Sequence, residues 1–548
     1  MSHRQPGPVA RPQHWRRAVR RAGLGLAEIV TAVGVALLFL AWSNTINVDP
    51  MVRIGQVAGL AQLQLAFAVA ALVLVLGLAL AHRLTNRRGR ALATRIACAA
   101  VAGLSTGVVA GGMVVALRQT PYGLWAGGGD YGWILQWVGD AQAGIALPRY
   151  YPPGIIWLIQ WWSNLSGLPP VYAVKGIQLI LTALFGPAAY LAWRLVLGPG
   201  WALAIGVVAM LPLIEPVKPY PQLSLVVLMP VLVALLRRVR HIDALAPLPA
   251  ALIGLAYGLG LGLLFLLYHG WFVWCAAGVV AAFAIVAPWR RLPRPDRLWQ
   301  PLLALLGTTI ASFLIITWPW LVGLLTETGG ANDQYFYFDT DTDPAYFAMW
   351  LNDRPGAVGV WPPLGELGHV SLFPLLLVTG VGLALWLGWR RTVVICLGLV
   401  AVGAWLIRMW LAGRSYVTLT VALYPRTTAV LLYLTLALTG FAIHLAAGAG
   451  WQRLARTGVA PRRVPTAIAL IPLLLLFALA GSATVDHYLP GPRGSPGEFA
   501  LVAQLRRQLD GQCPIYGAGR GCGNGPPYSQ LEPVPEHTAS PPVPPQGR

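Results

Sequence analysis

The stretch GGGDYGWILQWVGD, Gly127 to Asp140, sets two carboxylates, Asp130 and Asp140, among aromatic rings. A carboxylate held beside an alcohol can take its proton as a general base. The rings of Trp133, Trp137, Tyr150 and Tyr151 suit stacking on sugar faces and equally suit anchoring at a membrane interface. The glycines before Asp130 allow positive φ and close backbone approach, so they can present that side chain. Arg149, in PRYYPPG, offers a planar fork to a phosphate. LIEPVKPYPQ carries Glu215 and Lys218, the latter one of only two lysines in the chain, and LLYHGWF carries His269. Arg414 and Arg426 flank SYVTLTVALY. Collected at one place, these groups would supply a proton acceptor and a cradle for an anion, such as a lipid phosphate. Each has a plainer reading. The loop around Asp130 would be solvated, Arg149 an interface anchor, Glu215 and Lys218 a structural pair, His269 a turn residue, and the two arginines partners of phospholipid headgroups.

Asp333, Asp339, Asp341 and Asp343 follow a D-x-D-x-D spacing that resembles part of a calcium loop. The glycine and the terminal glutamate of such a loop are missing, so no metal and no cofactor are expected.

Elements of a particular kind must carry these residues. The 548-residue chain is 57% hydrophobic and only 11% charged, against about 25% charged in soluble proteins. Long runs rich in Leu, Ala, Val and Gly recur between Ala22 and Val485. Their length fits membrane-spanning helices, whereas a barrel would show short alternating segments. The expected fold is an all-α polytopic membrane protein of about 11–13 transmembrane helices. The net charge of +20 comes largely from arginine clusters between apolar runs. That is how the positive-inside rule is written in a sequence, and it argues against nucleic acid as a partner. The same rule places the N-terminus in the cytoplasm. Residues 1–21 then form a basic cytoplasmic tail leading into a first span, not a cleaved signal. Residues 22–485 form the transmembrane domain, with large outer loops at 118–170 and 326–371. Residues 486–548, rich in Pro and Gly, read as a disordered outer tail.

Of the 19 acidic residues, only Asp243 and Asp296 fall in loops assigned to the cytoplasm and Glu28 in a span, which puts the chemistry outside. The spans read as free of ionisable groups apart from Glu28. IIWLIQWWSNL is too short to cross and suits an interfacial helix. Cys98, Cys275 and Cys396 lie in apolar runs, and Cys513 and Cys522 could pair if the tail is outside.

One reaction fits these parts. A sugar carried on a polyprenyl phosphate leaves behind a stable anion, so its departure calls for cations rather than a general acid. The accepting hydroxyl calls for a single base, where a glycosidase needs two carboxylates.

The stretch from GGGDYGWILQWVGD through PRYYPPGIIWLIQWWSNL to EPVKPY resembles the signature of the actinobacterial galactan arabinofuranosyltransferases, within the GT-C class of membrane glycosyltransferases. The likeness spans roughly residues 120–445. It implies a GT-C-like bundle in the plasma membrane, a decaprenylphosphoryl-arabinofuranose donor, a cell-wall galactan acceptor and inversion at the anomeric carbon. It also implies that Asp130 is the base. That family usually ends in a folded outer domain, which the short tail here does not match. Two other readings stay open: another polyprenyl-phosphate-dependent transferase such as a mannosyltransferase, or a flippase for lipid-linked sugars.

Overall fold

A computed structural model describes residues 12–125, 128–289, 295–327, 372–418, 423–456, 466–492 and 495–523. Every regular element among them is helical. In a bilayer a helix satisfies its own backbone hydrogen bonds, which is why apolar runs of this length settle into helices. In chain order these are α1 (Pro12–Ser43), α2 (Arg53–Leu84), α3 (Arg87–Ala116), α4 (Asp130–Gln142), α5 (Gly154–Ser166) and α6 (Pro170–Trp193). Next comes α7 (Pro199–Leu213), which contains a π-helical turn at Ala202–Val207. Then follow α8 (Pro219–Arg240), α9 (Pro247–Leu267), α10 (Gly270–Val286), α11 (Pro295–Thr326) and α12 (Leu372–Gly388). The chain closes with α13 (Thr392–Thr418), α14 (Thr427–Arg456), α15 (Thr466–Tyr488) and α16 (Glu498–Leu505). Ten of the helices are long and apolar enough to cross a membrane, and α7, α10 and α12 are shorter apolar helices beside them. The protein is an all-α, multi-pass membrane protein.

The bundle is built around α3, whose residues 97–116 are all buried. That segment is mostly Ala, Gly, Val, Ser and Thr, and small side chains let neighbouring backbones close in. A Cβ on Gly186 of α6 would lie 2.2 Å from the Ala102 carbonyl oxygen of α3, so that crossing requires glycine. Thr106 seals it by donating to the Ala183 carbonyl at 2.8 Å.

Successive helix ends alternate between two poles. At one, Arg237 donates to the Val196 carbonyl at 2.9 Å and Arg240 to the Arg390 carbonyl at 2.7 Å, so three separate connections meet there. The opposite pole gathers the starts of α4, α8 and α10, the turn before α14 and the end of α15. Neither α4 nor α5 reaches across, at 13 residues each, or about 20 Å. α5 buries Ile155, Ile156 and Ile159 and leaves Trp157 and Trp161 exposed, as befits an interfacial helix.

Two expectations need correction. The helices are not free of ionisable groups apart from Glu28. Lys175 in α6 donates to the Leu117 and Thr120 carbonyls at 2.9 and 2.7 Å. Arg408 in α13, only 6% exposed, donates to the Tyr424 carbonyl and to the Thr427 and Thr428 hydroxyls. Oxygens at neighbouring helix ends make their burial tolerable. Glu28 is itself structural, held between Arg95 and Arg194.

The second correction concerns the C-terminal segment. Residues 486–492 and 495–523 are folded. They include α16, a disulfide between Cys513 and Cys522, and an ion pair from Arg520 to Asp49 at 2.9 Å. Pro and Gly content alone hid this, because α16 gains its stability by docking onto the residues after α3. Residues 524–548 lie outside the described part. Cys98, Cys275 and Cys396 are buried and unpaired, as their apolar setting implied.

Candidate functional site

Asp130 is positioned from two sides. After α3 the chain runs beneath α16. Gln504 donates to the Ala116 and Arg118 carbonyls at 3.0 and 2.9 Å, Thr120 donates to the Ala503 carbonyl at 2.7 Å, and the Trp125 amide donates to the Phe499 carbonyl at 3.2 Å. Trp125 also meets the Phe499 ring edge-on at 4.5 Å. The chain then turns over the Trp125 indole at Gly129, where φ is +55° and a Cβ would sit 2.6 Å from the indole nitrogen. Both features call for glycine. α4 begins immediately afterwards, so Asp130 occupies its first turn, where the helix dipole favours a negative charge. Tyr131, Ile134, Leu135 and Val138 bury the other face of α4 and fix its orientation.

The Asp130 side chain, 45% exposed, opens onto a cavity of about 1070 Å³ at this pole of the bundle. Its carboxylate is ion-paired with the Lys218 ammonium. Lys218 stands between Pro216 and Pro219, directly before α8, and these prolines restrict its backbone. Glu215, His269, Arg426, Tyr150 and Tyr151 line the same space. Arg426 donates to the Tyr268 hydroxyl at 2.7 Å, and the Tyr151 and Tyr220 hydroxyls bond to each other at 2.8 Å. His269 Nε2 lies 3.0 Å from the Tyr150 carbonyl, which can only accept, so that nitrogen carries the proton. Burial pushes the Glu215 carboxyl above its usual range, opposed in part by the charge of Lys218. Burial also raises the Tyr151 and Tyr268 phenols and lowers the His269 imidazole.

Asp130, Glu215, Lys218, His269, Arg426, Tyr150 and Tyr151 are therefore brought together, although they come from five separate stretches of sequence. Five other candidates are not. Asp140 sits at the far end of α4, about 15 Å along the helix from Asp130, and does not line the cavity. Arg149 is exposed, its backbone packed against Gly323 of α11. Arg414 is exposed and lies over the Trp410 ring at 4.9 Å. Trp133 and Trp137 stack on each other at 6.3 Å on α4, and Trp137 reaches Tyr151 at 4.6 Å. These rings continue the aromatic wall beyond the cavity without lining it. The expected alternative pairing of Glu215 with Lys218 gives way to Lys218 with Asp130. Asp333, Asp339, Asp341 and Asp343 lie outside the described residues. Among the described residues, no group of three His, Cys, Asp or Glu side chains is arranged to hold a metal ion.

Sequence reasoning missed Tyr220, Tyr268, Glu327 and Tyr488, all of which line the cavity. A usable signal existed for the first two, since Tyr220 and Tyr268 stand within two residues of Lys218 and His269. Glu327 and Tyr488 each end an apolar run, which marks a helix end but not which other ends it meets.

Comparison with protein-family models and with curated protein sequences finds no match for this chain. The chemistry of the cavity must carry the functional reading by itself. It combines the Asp130 carboxylate, two further carboxyl groups at Glu215 and Glu327, the basic side chains of Lys218 and Arg426, and a set of phenols. Such a space can bind a phosphate, stack a sugar ring and accept one proton.

Proposed function

We propose that the protein is a glycosyltransferase that uses a polyprenyl-phosphate sugar as donor and transfers the sugar to a glycan hydroxyl. The observation that carries this reading is the Asp130–Lys218 ion pair facing a cavity that also holds Arg426. The acceptor oxygen would attack the anomeric carbon as the bond from that carbon to the phosphate oxygen breaks. The proton of the hydroxyl passes to Asp130, and the lipid phosphate leaves as an anion held by Lys218 and Arg426. Lys218 compensates Asp130. An arriving phosphate gives its ammonium a second anion, and sharing it frees a carboxylate oxygen to act as base. The phenols of Tyr150 and Tyr151 lie where a sugar ring would stack.

The resemblance of GGGDYGWILQWVGD, PRYYPPG and EPVKPY to the galactan arabinofuranosyltransferases narrows the proposal. The donor would be decaprenylphosphoryl-arabinofuranose, the acceptor a cell-wall galactan, and the outcome inversion. The bundle would be GT-C-like in the plasma membrane, N-terminus in the cytoplasm, with the Asp130 pole outside. The arginines that meet at the other pole support that orientation. On this reading the folded C-terminal unit around α16 would be a small counterpart of that family's terminal outer domain. The test is incubation of membranes containing the protein with labelled decaprenylphosphoryl-arabinose and a short galactan oligosaccharide. Transfer that requires Asp130 supports the proposal. Movement of the lipid-linked sugar across the bilayer without transfer would replace it with a flippase.

A further inference from the structure

The pole opposite Asp130 has a cavity of its own, about 650 Å³, between the ends of α8, α12 and α14 and the start of α13. Arg237, Arg240, Arg390 and Arg391 all line it, and among the described residues no carboxylate does. The bonds these guanidinium groups make are to neutral acceptors. Arg237 reaches the Val196 carbonyl, Arg240 reaches the Arg390 carbonyl and the Thr392 hydroxyl, and Arg390 lies over the Trp389 ring at 4.6 Å. Such contacts orient the groups without supplying a counter-charge. A solvated basic face would spread its charges outward. Here they share a concavity with apolar side chains, among them Leu387, Phe441 and Leu445, and with His241 and His444. α13 also begins at this cavity with Thr392, adding the positive end of a helix dipole to the same field.

The geometry points to a binding site for a phosphate group, presented by the headgroup of an anionic membrane lipid. Several fixed cations around one concavity match a phosphate's charge and its several acceptor oxygens. The apolar side chains among the lining match the glycerol and first methylenes of a lipid, and basic pockets between membrane helices are a recognised setting for anionic headgroups. The site lies at the opposite pole from Asp130 and does not depend on the reaction proposed there.

The experiment uses the purified full-length protein in neutral detergent. Its thermal unfolding is followed while short-chain phosphatidylglycerol, phosphatidylcholine of the same chain length, or inorganic phosphate is titrated in. A ligand that binds only the folded state raises the unfolding temperature. Phosphatidylglycerol is expected to raise it saturably, and phosphatidylcholine is not. Arg391→Gln removes a guanidinium that has no bonding partner among the described residues, and should weaken half-saturation about tenfold. Gly448→Trp fills the cavity while keeping every charge, because a Cβ at Gly448 meets open space. It should abolish the shift. Each variant is read against its own unliganded unfolding temperature. If inorganic phosphate reproduces the full shift and both variants lose it, the phosphate site stands and its occupant is free phosphate. An equal response to phosphatidylcholine, no response in the wild type, or an undiminished response in both variants would overturn the assignment.

Discussion

The two poles of this bundle use the same cationic side chains to different ends. Around Asp130, Lys218 and Arg426 share a cavity with two further carboxyl groups, Glu215 and Glu327, and a set of phenols. Around Arg391 the cations share theirs with two histidines, His241 and His444, with neutral oxygens and with apolar side chains. A cavity holding both signs of charge can move a proton and balance a leaving anion within itself. A cavity holding one sign can retain an anion but carries no counter-charge to balance one that forms and leaves. Counting arginines would rank the second pole first, whereas asking where a counter-charge stands ranks the first as the chemical one.

The sharpest way to break that comparison is at Asp130. Asp130→Asn keeps the shape and removes the base, and sugar transfer should fall about 10²–10⁴-fold with the unfolding temperature unchanged. Asp140→Asn should leave transfer near wild type, since Asp140 does not line the cavity. The reverse result would exchange the roles of the two aspartates. Next in size are the cations. Lys218→Ala and Arg426→Ala should each raise the donor concentration for half-saturation about tenfold, the worth of a charged hydrogen bond. The acceptor concentration should not move. A matching rise for the acceptor would show that these groups order the whole cavity and do not single out the phosphate.

Much of this was legible in the chain, for identifiable reasons. Apolar runs long enough to span a bilayer have one good solution, so the helices could be read directly. Ionisable groups at the ends of such runs stand out against their surroundings, which is how Glu215, Lys218, His269 and Arg426 could be named. What could not be read is which helix ends meet. Arg426 and Arg414 look alike in sequence, yet one turns into the cavity beside Tyr268 and the other lies over Trp410 on the outside. Asp130 and Asp140 differ only in their place on α4, and the difference comes from Gly129 and Trp125 at its start. Arg408 was readable, because an arginine inside an apolar run is costly and asks for a reason. α16 was not, because eight residues after a Pro- and Gly-rich stretch carry no pattern that anticipates docking.

That docking gives the next prediction. Gln504 is fully buried and ties α16 to the Ala116 and Arg118 carbonyls. Gln504→Ala should cost about 1–3 kcal/mol, the penalty of stranding buried polar groups, seen as a lower unfolding temperature. The chain between those carbonyls and Asp130 is also held by α16, so the rate at saturating substrate should drop while donor half-saturation stays in place. A loss of stability with an unchanged rate would reduce α16 to a brace.

The smallest effects concern pH, where two cavity residues pull in opposite directions. Burial lowers the His269 imidazole below 6.5, so the folded protein binds that proton less readily than the unfolded chain. As pH falls below 6.5, the unfolded state gains a proton that the folded state refuses, and stability declines. The Glu215 carboxyl is raised above 4.5, so the folded protein holds a proton that the unfolded chain has released. Its contribution is fully present below 4.5 and is lost as pH rises through the folded-state value. His269→Gln should therefore flatten the acid-side decline and leave the other limb alone, while Glu215→Gln should do the opposite. Unfolding temperatures across the pH range separate the two. If one substitution flattened both limbs, the two groups would be titrating as a single coupled unit across the cavity. Arg426, whose charge acts on both Glu215 and His269, would then be the residue that joins them.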